Sequence, residues 1–401
     1  MRVLIVHNRY RQAGGEDAVV RDEAALLRGQ WDTAGGHGMH GQEGSAAPLE
    51  VELFECSNDA LREQAPLAAA ANTLWSRAGA AAVAAAVRAF RPEVVHVHNT
   101  FAMLSPSIYR AVRQARPAAA VVQTLHNFRL MCVGALLLRA GRVCEDCVGR
   151  LPWRGVWHAC YRDSRAASAT VAGMQVLHRA LGTWTRGVDR YIALTEFCRG
   201  RFIAAGLPAE RMVVKPNFVA LPAPPTQARS GILFAGRLAP EKGVGLLQAA
   251  ARAGHVIDVA GSGPLAAELA GVPGLNCLGT LDAAALQERM RRAALLLLPS
   301  LWYEQFPRVL IEAWACGLPV LASRLGAFAE LVREGDTGLL FTPGDGADLV
   351  RQLDWARDHP AALARMGAAG RAEVERHYGP ARNRAQLLAI YGAAIAERRA
   401  T

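Results

Sequence analysis

Two glutamates with seven residues between them, Glu304 and Glu312, stand in the stretch PSLWYEQFPRVLIEAWACGLPVLAS, 299–323. An all-leucine run, 295–298, leads into Pro-Ser; Pro307 suits the first position of a helix that Gly317 would stop. This spacing puts Glu304 in the loop ahead of the helix and Glu312 one to two turns inside it. The first amides of the helix, near Arg308 and Val309, have no intrahelical partner. With the helix dipole they make an anion site suited to a diphosphate. Carboxylates flanking such a site can hold sugar and ribose hydroxyls by charge-assisted hydrogen bonds. The competing reading pairs Glu312 with Arg308, at i and i+4, on a solvated helix face.

A second constellation, Gly236-Arg237-Leu-Ala-Pro-Glu241-Lys242-Gly243, directly follows the apolar run Ile232–Ala235. Two cations on a strand-to-helix loop can converge on phosphate oxygens, and glycines permit close approach. An incidental surface pair of Glu241 with Lys242 is the alternative. Only two of the 45 cationic residues are lysines, Lys215 and Lys242. A lysine kept amid arginines points to a need for a compact ammonium.

Weaker signals surround these two. Gly14-Gly15-Glu16 would let backbone approach a phosphate or sugar from a first-half loop. His98-Asn99 and His126-Asn127 each end an apolar run, at strand ends where a cleft would lie. Gly261-Ser-Gly263-Pro resembles a dinucleotide fingerprint with Asp282 beyond it. Pro264 inside it and its place in a second strand unit argue against an oxidoreductase. Cys132, Cys144, Cys147 and Cys160 fall within 29 residues, which leaves a structural tetrahedral zinc site, free thiols or a redox pair open. Arg139, Arg142, Arg150 and Arg154 with Trp153 and Trp157 in the same region suggest a lid over an acceptor or a membrane-facing patch. His37 and His40, in a Gly-rich insertion at 31–49, read as a surface loop before a metal pair.

The elements that must position these residues alternate short β-branched or apolar runs with Ala/Leu-rich helical stretches, the pattern of parallel sheets flanked by helices. Strands are expected at Val3–His7, Val51–Glu55, Val94–His98, Ala120–Leu125 and Tyr191–Leu194 in the first half. The second half offers Ile232–Ala235, Val256–Ala260, Asn276–Gly279, Leu295–Leu298, Val320–Ala322 and Gly338–Phe341. The fold class is therefore α/β, with two doubly wound parallel-sheet (Rossmann-like) domains facing across a cleft. Residues 1–215 would form the first domain and 216–380 the second. The boundary lies in the proline-rich Lys215–Ser230, and a last helix at about 381–401 is long enough to return to the first domain.

The net charge of +10 is concentrated in residues 1–215, where 26 cations face 18 carboxylates. A basic first half fits an anionic partner: a phosphorylated acceptor or an anionic membrane surface, with no nucleic-acid module recognisable. Genomic arginine bias explains the charge equally well. No apolar run is long enough to span a bilayer, and the N-terminal MRVLIVH reads as a strand rather than a signal peptide. A cytoplasmic protein, peripheral at the inner membrane face at most, is the expectation.

Taken together, the Gly14-Gly15 loop, VVHVHNTF (94–101), TLHNFRL (124–130), AGRLAPEKGV (235–244), AGSGP (260–264) and EQFPRVLIEAWACGLPV (304–320) resemble the family 4 retaining glycosyltransferases of the GT-B fold. The resemblance runs along nearly the whole chain. It implies that Arg237 and Lys242 neutralise the diphosphate of a UDP- or GDP-linked sugar, that Glu312 holds the ribose, and that Glu304 and His126 contact the transferred sugar. Gly261, Gly263, Phe306, Arg308 and Val309 of the donor-binding domain, 216–380, with Gly14 and Gly15 of the acceptor-side domain, 1–215, complete the implied donor site. His98, Asn99 and Asn127 are then the acceptor-site candidates of the 1–215 domain. Transfer to a carbohydrate or lipid-linked acceptor, without a catalytic metal, would follow. Where many relatives carry His-Asp, this chain has His126-Asn127, which questions any role for a carboxylate beside the histidine. A sugar-nucleotide epimerase and a non-catalytic sugar-binding subunit on the same scaffold are the alternatives.

Overall fold

Alternating side chains along the first strands sort onto two faces of one sheet. Leu4, Val6, Val95, Val97 and Val121 face one core, and Val3, Ile5, Val94, Ala120 and Val122 face the other. Strands buried on both faces are the signature of a parallel sheet covered by helices. The computed structural model describes residues 1–10, 14–31, 49–59, 64–223 and 228–400. The loop carrying His37 and His40, and the linker prolines Pro224 and Pro225, lie outside them.

The first half contains β1 (Arg2–Arg9), β2 (Glu50–Ser57), β3 (Val94–Asn99), β4 (Ala120–Thr124), β5 (Leu138–Arg139), β6 (Arg142–Val143), β7 (Arg190–Ala193) and β8 (Met212–Val214). Six of them form a parallel sheet in the order β2-β1-β3-β4-β7-β8, while β5 and β6 pair separately as an antiparallel hairpin. The second half contains β9 (Ile232–Ala235), β10 (Ile257–Ala260), β11 (Leu275–Gly279), β12 (Leu295–Leu298), β13 (Val320–Ser323) and β14 (Gly338–Phe341). Their order, β11-β10-β9-β12-β13-β14, is again parallel throughout.

In each sheet the order reverses at a switch point, β1 beside β3 and β9 beside β12. Chains leaving neighbouring strands there turn to opposite faces and open a crevice at the strand C-terminal ends. The loops after β1, β3, β9 and β12 border these two crevices, with the β4 loop next to β3. They carry most of the candidate residues.

The last helix, Pro380–Ala400, buries Leu387, Tyr391 and Ala394 against the first sheet, so the chain ends on the domain where it began. Among the described residues no helix is long and apolar enough to cross a membrane. The edge strand β8 is not among the expected strands: its three residues leave too short an apolar run. The β5–β6 hairpin was missed for the same reason of length.

Candidate active site

The loops after β9 and β12 rest on each other because Gly243 lacks a side chain. Its φ is +67°, and a Cβ there would lie 1.8 Å from the Pro299 carbonyl oxygen. Leu301 N donates to Glu241 O at 2.9 Å and ties the two loops together. Lys242 is thereby delivered to Glu304, its Nζ donating to Oε1 at 2.7 Å. The same oxygen accepts from Ser300 Oγ at 2.8 Å and Trp302 Nε1 at 2.9 Å, which fixes the buried carboxylate in one orientation. Arg237, half-exposed, donates to the buried Glu241. Both cations expected at a diphosphate are thus positioned by carboxylates from their own domain.

Gly261 and Gly263 serve that arrangement from behind. Cβ atoms there would sit 1.9 Å from Gly236 O and 2.4 Å from Leu238 O. Leu238 N donates to Ser262 O at 2.9 Å, so the glycine turn after β10 is the bed on which the Arg237 loop lies.

The helix Arg308–Ala315 begins after Pro307, with no side-chain cap on its first amides. Inside it, burial raises the Glu312 carboxyl above its ordinary range, against the opposing Arg308 charge. Arg308 Nε lies 3.5 Å from Glu312 Oε1, so the i, i+4 pair does form. The same guanidinium also reaches Asp22 of the first domain, Nη1 to Oδ2 2.8 Å, as an ion pair across the cleft. Gln305, with its amide nitrogen turned toward the first domain, donates to Leu125 O at 2.6 Å and accepts from Asn127 N at 3.2 Å. Phe306 is a core residue instead of a cleft residue, buried edge-to-face on Tyr378 at 5.6 Å.

Across the cleft, His126 belongs to a buried polar chain. Its Nε2 lies 2.8 Å from His98 Nδ1, and His98 Nε2 lies 3.5 Å from Glu23 Oε2. Lys215, fully buried, donates to Glu23 Oε1 at 2.6 Å and to Asn383 Oδ1 at 3.0 Å. His96 Nδ1 meets Tyr391 Oη at 2.7 Å, and its Nε2 meets Thr124 Oγ1 at 2.8 Å. Burial, then the neighbouring His7, His96 and Lys215, hold His126 down to about 3; burial takes His96 to about 4. Both imidazoles are therefore neutral. A proton on His98 Nε2 facing Glu23 makes His98 Nδ1 the acceptor and His126 Nε2–H the donor. This leaves His126 Nδ1 a lone pair.

Glu23, His96 and His98 are also the one group of three among the described residues whose ligand atoms approach within 4.8 Å of one another. The Lys215 ammonium already supplies that group's cation. Cys132, Cys144, Cys147 and Cys160 make no such group. Zinc–sulfur bonds of about 2.3 Å would put four tetrahedral thiolates roughly 3.8 Å apart. The four thiols lie near enough that Cys132 and Cys144 help to raise both Cys147 and Cys160, while among the described residues no three of them bring their sulfurs within 4.8 Å of one another. Burial, then Cys132, Cys147 and Cys144, push the Cys160 thiol up to about 11.

Asn99 is committed to the loop after β3, donating to Asn8 O at 2.7 Å and accepting from Phe101 N at 2.9 Å. Asn127 faces Tyr10, its amide 3.0 Å from the phenol oxygen, and accepts from Arg129 N at 3.0 Å. A cavity of about 30 Å³ is bounded by His98, His126, Asn127, Arg129 and Met174. Glu16 is the carboxyl that Asn127 and Tyr10 meet. Burial first, then Asp17, raise it to about 8, while hydrogen bonds from Asn127 and Tyr10 oppose the shift. Its Oε1 is buried without a partner. Gly14 N donates to Asp17 Oδ2 at 2.8 Å, and a Cβ at Gly14 or Gly15 would meet nothing within 4 Å, so this side of the loop is open.

Sequence reasoning missed Glu23, Asp22, Gln305 and Lys215. Only Lys215 carried a signal: it is the other lysine, and the argument made for Lys242 applied equally to it.

Two family models match the chain, one described as Glycosyltransferase Family 4 over residues 46–221 and one as Glycosyl transferases group 1 over residues 229–358. A D-inositol 3-phosphate glycosyltransferase of Streptomyces scabiei is 37% identical over 190 residues, 42% of this chain and 42% of that protein. A phosphatidyl-myo-inositol mannosyltransferase of Mycobacterium leprae is 36% identical over 117 residues, 29% of this chain and 31% of that protein. The matched stretch thus spans less than half of either relative. Anabaena HepE, solved with UDP-glucose, superposes with a TM-score of 0.66 at 17% identity, covering 98% of this chain and 100% of that one. Sucrose-phosphate synthase from Thermosynechococcus elongatus gives 0.69 at 19% identity, covering 99% of each. At such identities the likeness shows the fold, two parallel-sheet α/β domains of the GT-B type.

Proposed function

Because the chain belongs to glycosyltransferase family 4, we propose that it moves a hexosyl group from a UDP- or GDP-linked donor to a carbohydrate or lipid-linked acceptor, with retention at the anomeric carbon. The observation that carries this reading is the convergence of Lys242, Glu304 and an uncapped helix N-terminus bearing Glu312 on the edge of the second domain that faces His126.

The chemistry asks mainly for stabilisation of a departing diphosphate. Arg237, Lys242 and the Arg308–Val309 amides supply positive charge that is fixed before the reaction, where such groups are most effective. Glu241 and Glu304 hold the two cations at the crevice edge until phosphate oxygens share them. Glu312, half-buried with its carboxyl raised, suits a pair of ribose hydroxyls. On the acceptor side the neutral His126 offers a lone pair to a sugar hydroxyl. In a front-face displacement the acceptor oxygen forms the new C1 bond as the C1–phosphate bond breaks, and the leaving phosphate takes the acceptor proton. The names of the two curated relatives support a polyhydroxylated acceptor, free or lipid-borne.

Calorimetry with UDP and GDP tests the donor half. One nucleotide is expected to bind, and Glu312→Ala to weaken it by about tenfold or more, as for a lost hydrogen bond to a charged group. Equal affinity in the variant would remove Glu312 from the site.

A further inference from the structure

The segment after the cleft loops presents an apolar face to solvent. Leu151 (62% exposed), Trp153 (60%) and Trp157 (65%) stand out from the turn and short helix Trp153–Trp157, which packs on the helix Arg165–Ala180. Beyond Arg165, every exposed position of that second helix is uncharged: Ala166, Ala169, Val176, Leu177 and Ala180, with Leu181 following. A 16-residue surface helix ordinarily turns charged residues outward. Here the charges stand around the apolar face. Residues 145–190 contain seven arginines against four carboxylates, Glu145, Asp146, Asp163 and Asp189, and Asp146 pairs with Arg154 at 3.3 Å. Arg154 lies over the Trp153 ring at 5.5 Å and Arg165 over the Trp157 ring at 5.5 Å. Arg179 reaches back to Arg150 O at 2.9 Å, joining both ends of the patch.

We propose that this face is a docking surface for an anionic lipid bilayer. Tryptophan and leucine side chains enter the headgroup boundary while the arginines meet lipid phosphates. Charge favours this occupant over a second copy of the chain, because self-association would press two arginine-rich faces together. The surface also leads toward the acceptor side. The opposite face of the same helix holds the cleft loop, Gln175 Nε2 donating to Arg129 O at 2.6 Å, and Met174 lines the cavity beside His126. Leu130 borders both that cavity and a larger one, about 290 Å³, reached between Arg179, Gly182 and Leu207. A bilayer on this face would put a lipid-borne acceptor next to the cleft. The docking surface thus deepens the proposed function and rests on it for that last step alone.

Flotation of the full-length protein with vesicles of phosphatidylcholine alone, or with phosphatidylglycerol added, tests the surface. Binding is expected only to the anionic vesicles and should weaken with salt. The double variant Trp153→Glu/Trp157→Glu should lower the bound fraction by about fivefold or more while calorimetric nucleotide binding stays intact. Any of three results would overturn the proposal: no vesicle binding by wild type, equal binding to both vesicle types, or dimers in light scattering that the same substitutions dissociate. Loss of nucleotide binding by wild type itself would instead strike at the transferase reading.

Discussion

At the residue scale the two lysines sit in opposite settings, Lys242 where chemistry is proposed and Lys215 inside the architecture. Lys242 meets Glu304 at the crevice edge, partly exposed; Lys215 meets Glu23 in the interior, fully buried. Composition flagged both, but the proline-rich surroundings of Lys215 made it look like linker. Glu16 was visible only as a neighbour of two glycines, since nothing in sequence says that a first-loop carboxyl folds against Asn127. With its carboxyl at about 8, Glu16 is mostly protonated at neutral pH and ionises above that value. As a neutral donor beside the acceptor cavity it should favour acceptor binding, so kcat/KM for acceptor is expected to fall through pH 8. Glu16→Gln keeps a neutral side chain and should abolish that inflection. An unchanged profile would show that another group titrates.

At the scale of elements, loops matter more than the strands that launch them. All eleven strands read from the sequence are present, shifted by no more than a few residues, because buried parallel strands leave continuous apolar runs. The short β5, β6 and β8 leave no such run. The loop and helix that carry Glu304 and Glu312 were legible in the same way, while Phe306 turns into the core, because motif position says nothing about which side chain turns inward. Gly243 is the tightest element junction. Gly243→Ala forces a Cβ onto Pro299 O at 1.8 Å and an L-residue into φ +67°. It should destabilise the protein by more than about 1 kcal/mol and lower turnover further by displacing Lys242. A variant with unchanged melting temperature and rate would contradict this loop coupling.

At the scale of the whole molecule, the returning C-terminal helix closes the polar core behind the cleft. Tyr391 and Asn383 come from it, and Lys215 from the strand end where the chain leaves the first domain. This network was not legible, since its directly bonded members lie up to 295 residues apart. It makes stability depend on pH in a defined direction. His96 and His126 are held at about 4 and about 3, below their ordinary 6.5. Between pH 6.5 and about 4 the unfolded chain binds protons that the native state excludes, so their contribution is whole above 6.5 and lost as pH falls. Urea midpoints should drop steadily from pH 7 to pH 5, with a slope of up to about 1.4 kcal/mol per pH unit for each histidine. A flat profile would mean that these imidazoles titrate normally.

The central claim is that the crevice between the two sheets activates a nucleotide sugar through a fixed ammonium at Lys242. A turnover assay with a panel of UDP- and GDP-sugars, read as nucleotide released, tests it most directly. Wild type is expected to release nucleotide from at least one donor, and Lys242→Ala to lose about 10²–10³-fold in kcat with the fold retained by circular dichroism. No release from any donor, or a Lys242→Ala enzyme as fast as wild type, would contradict it.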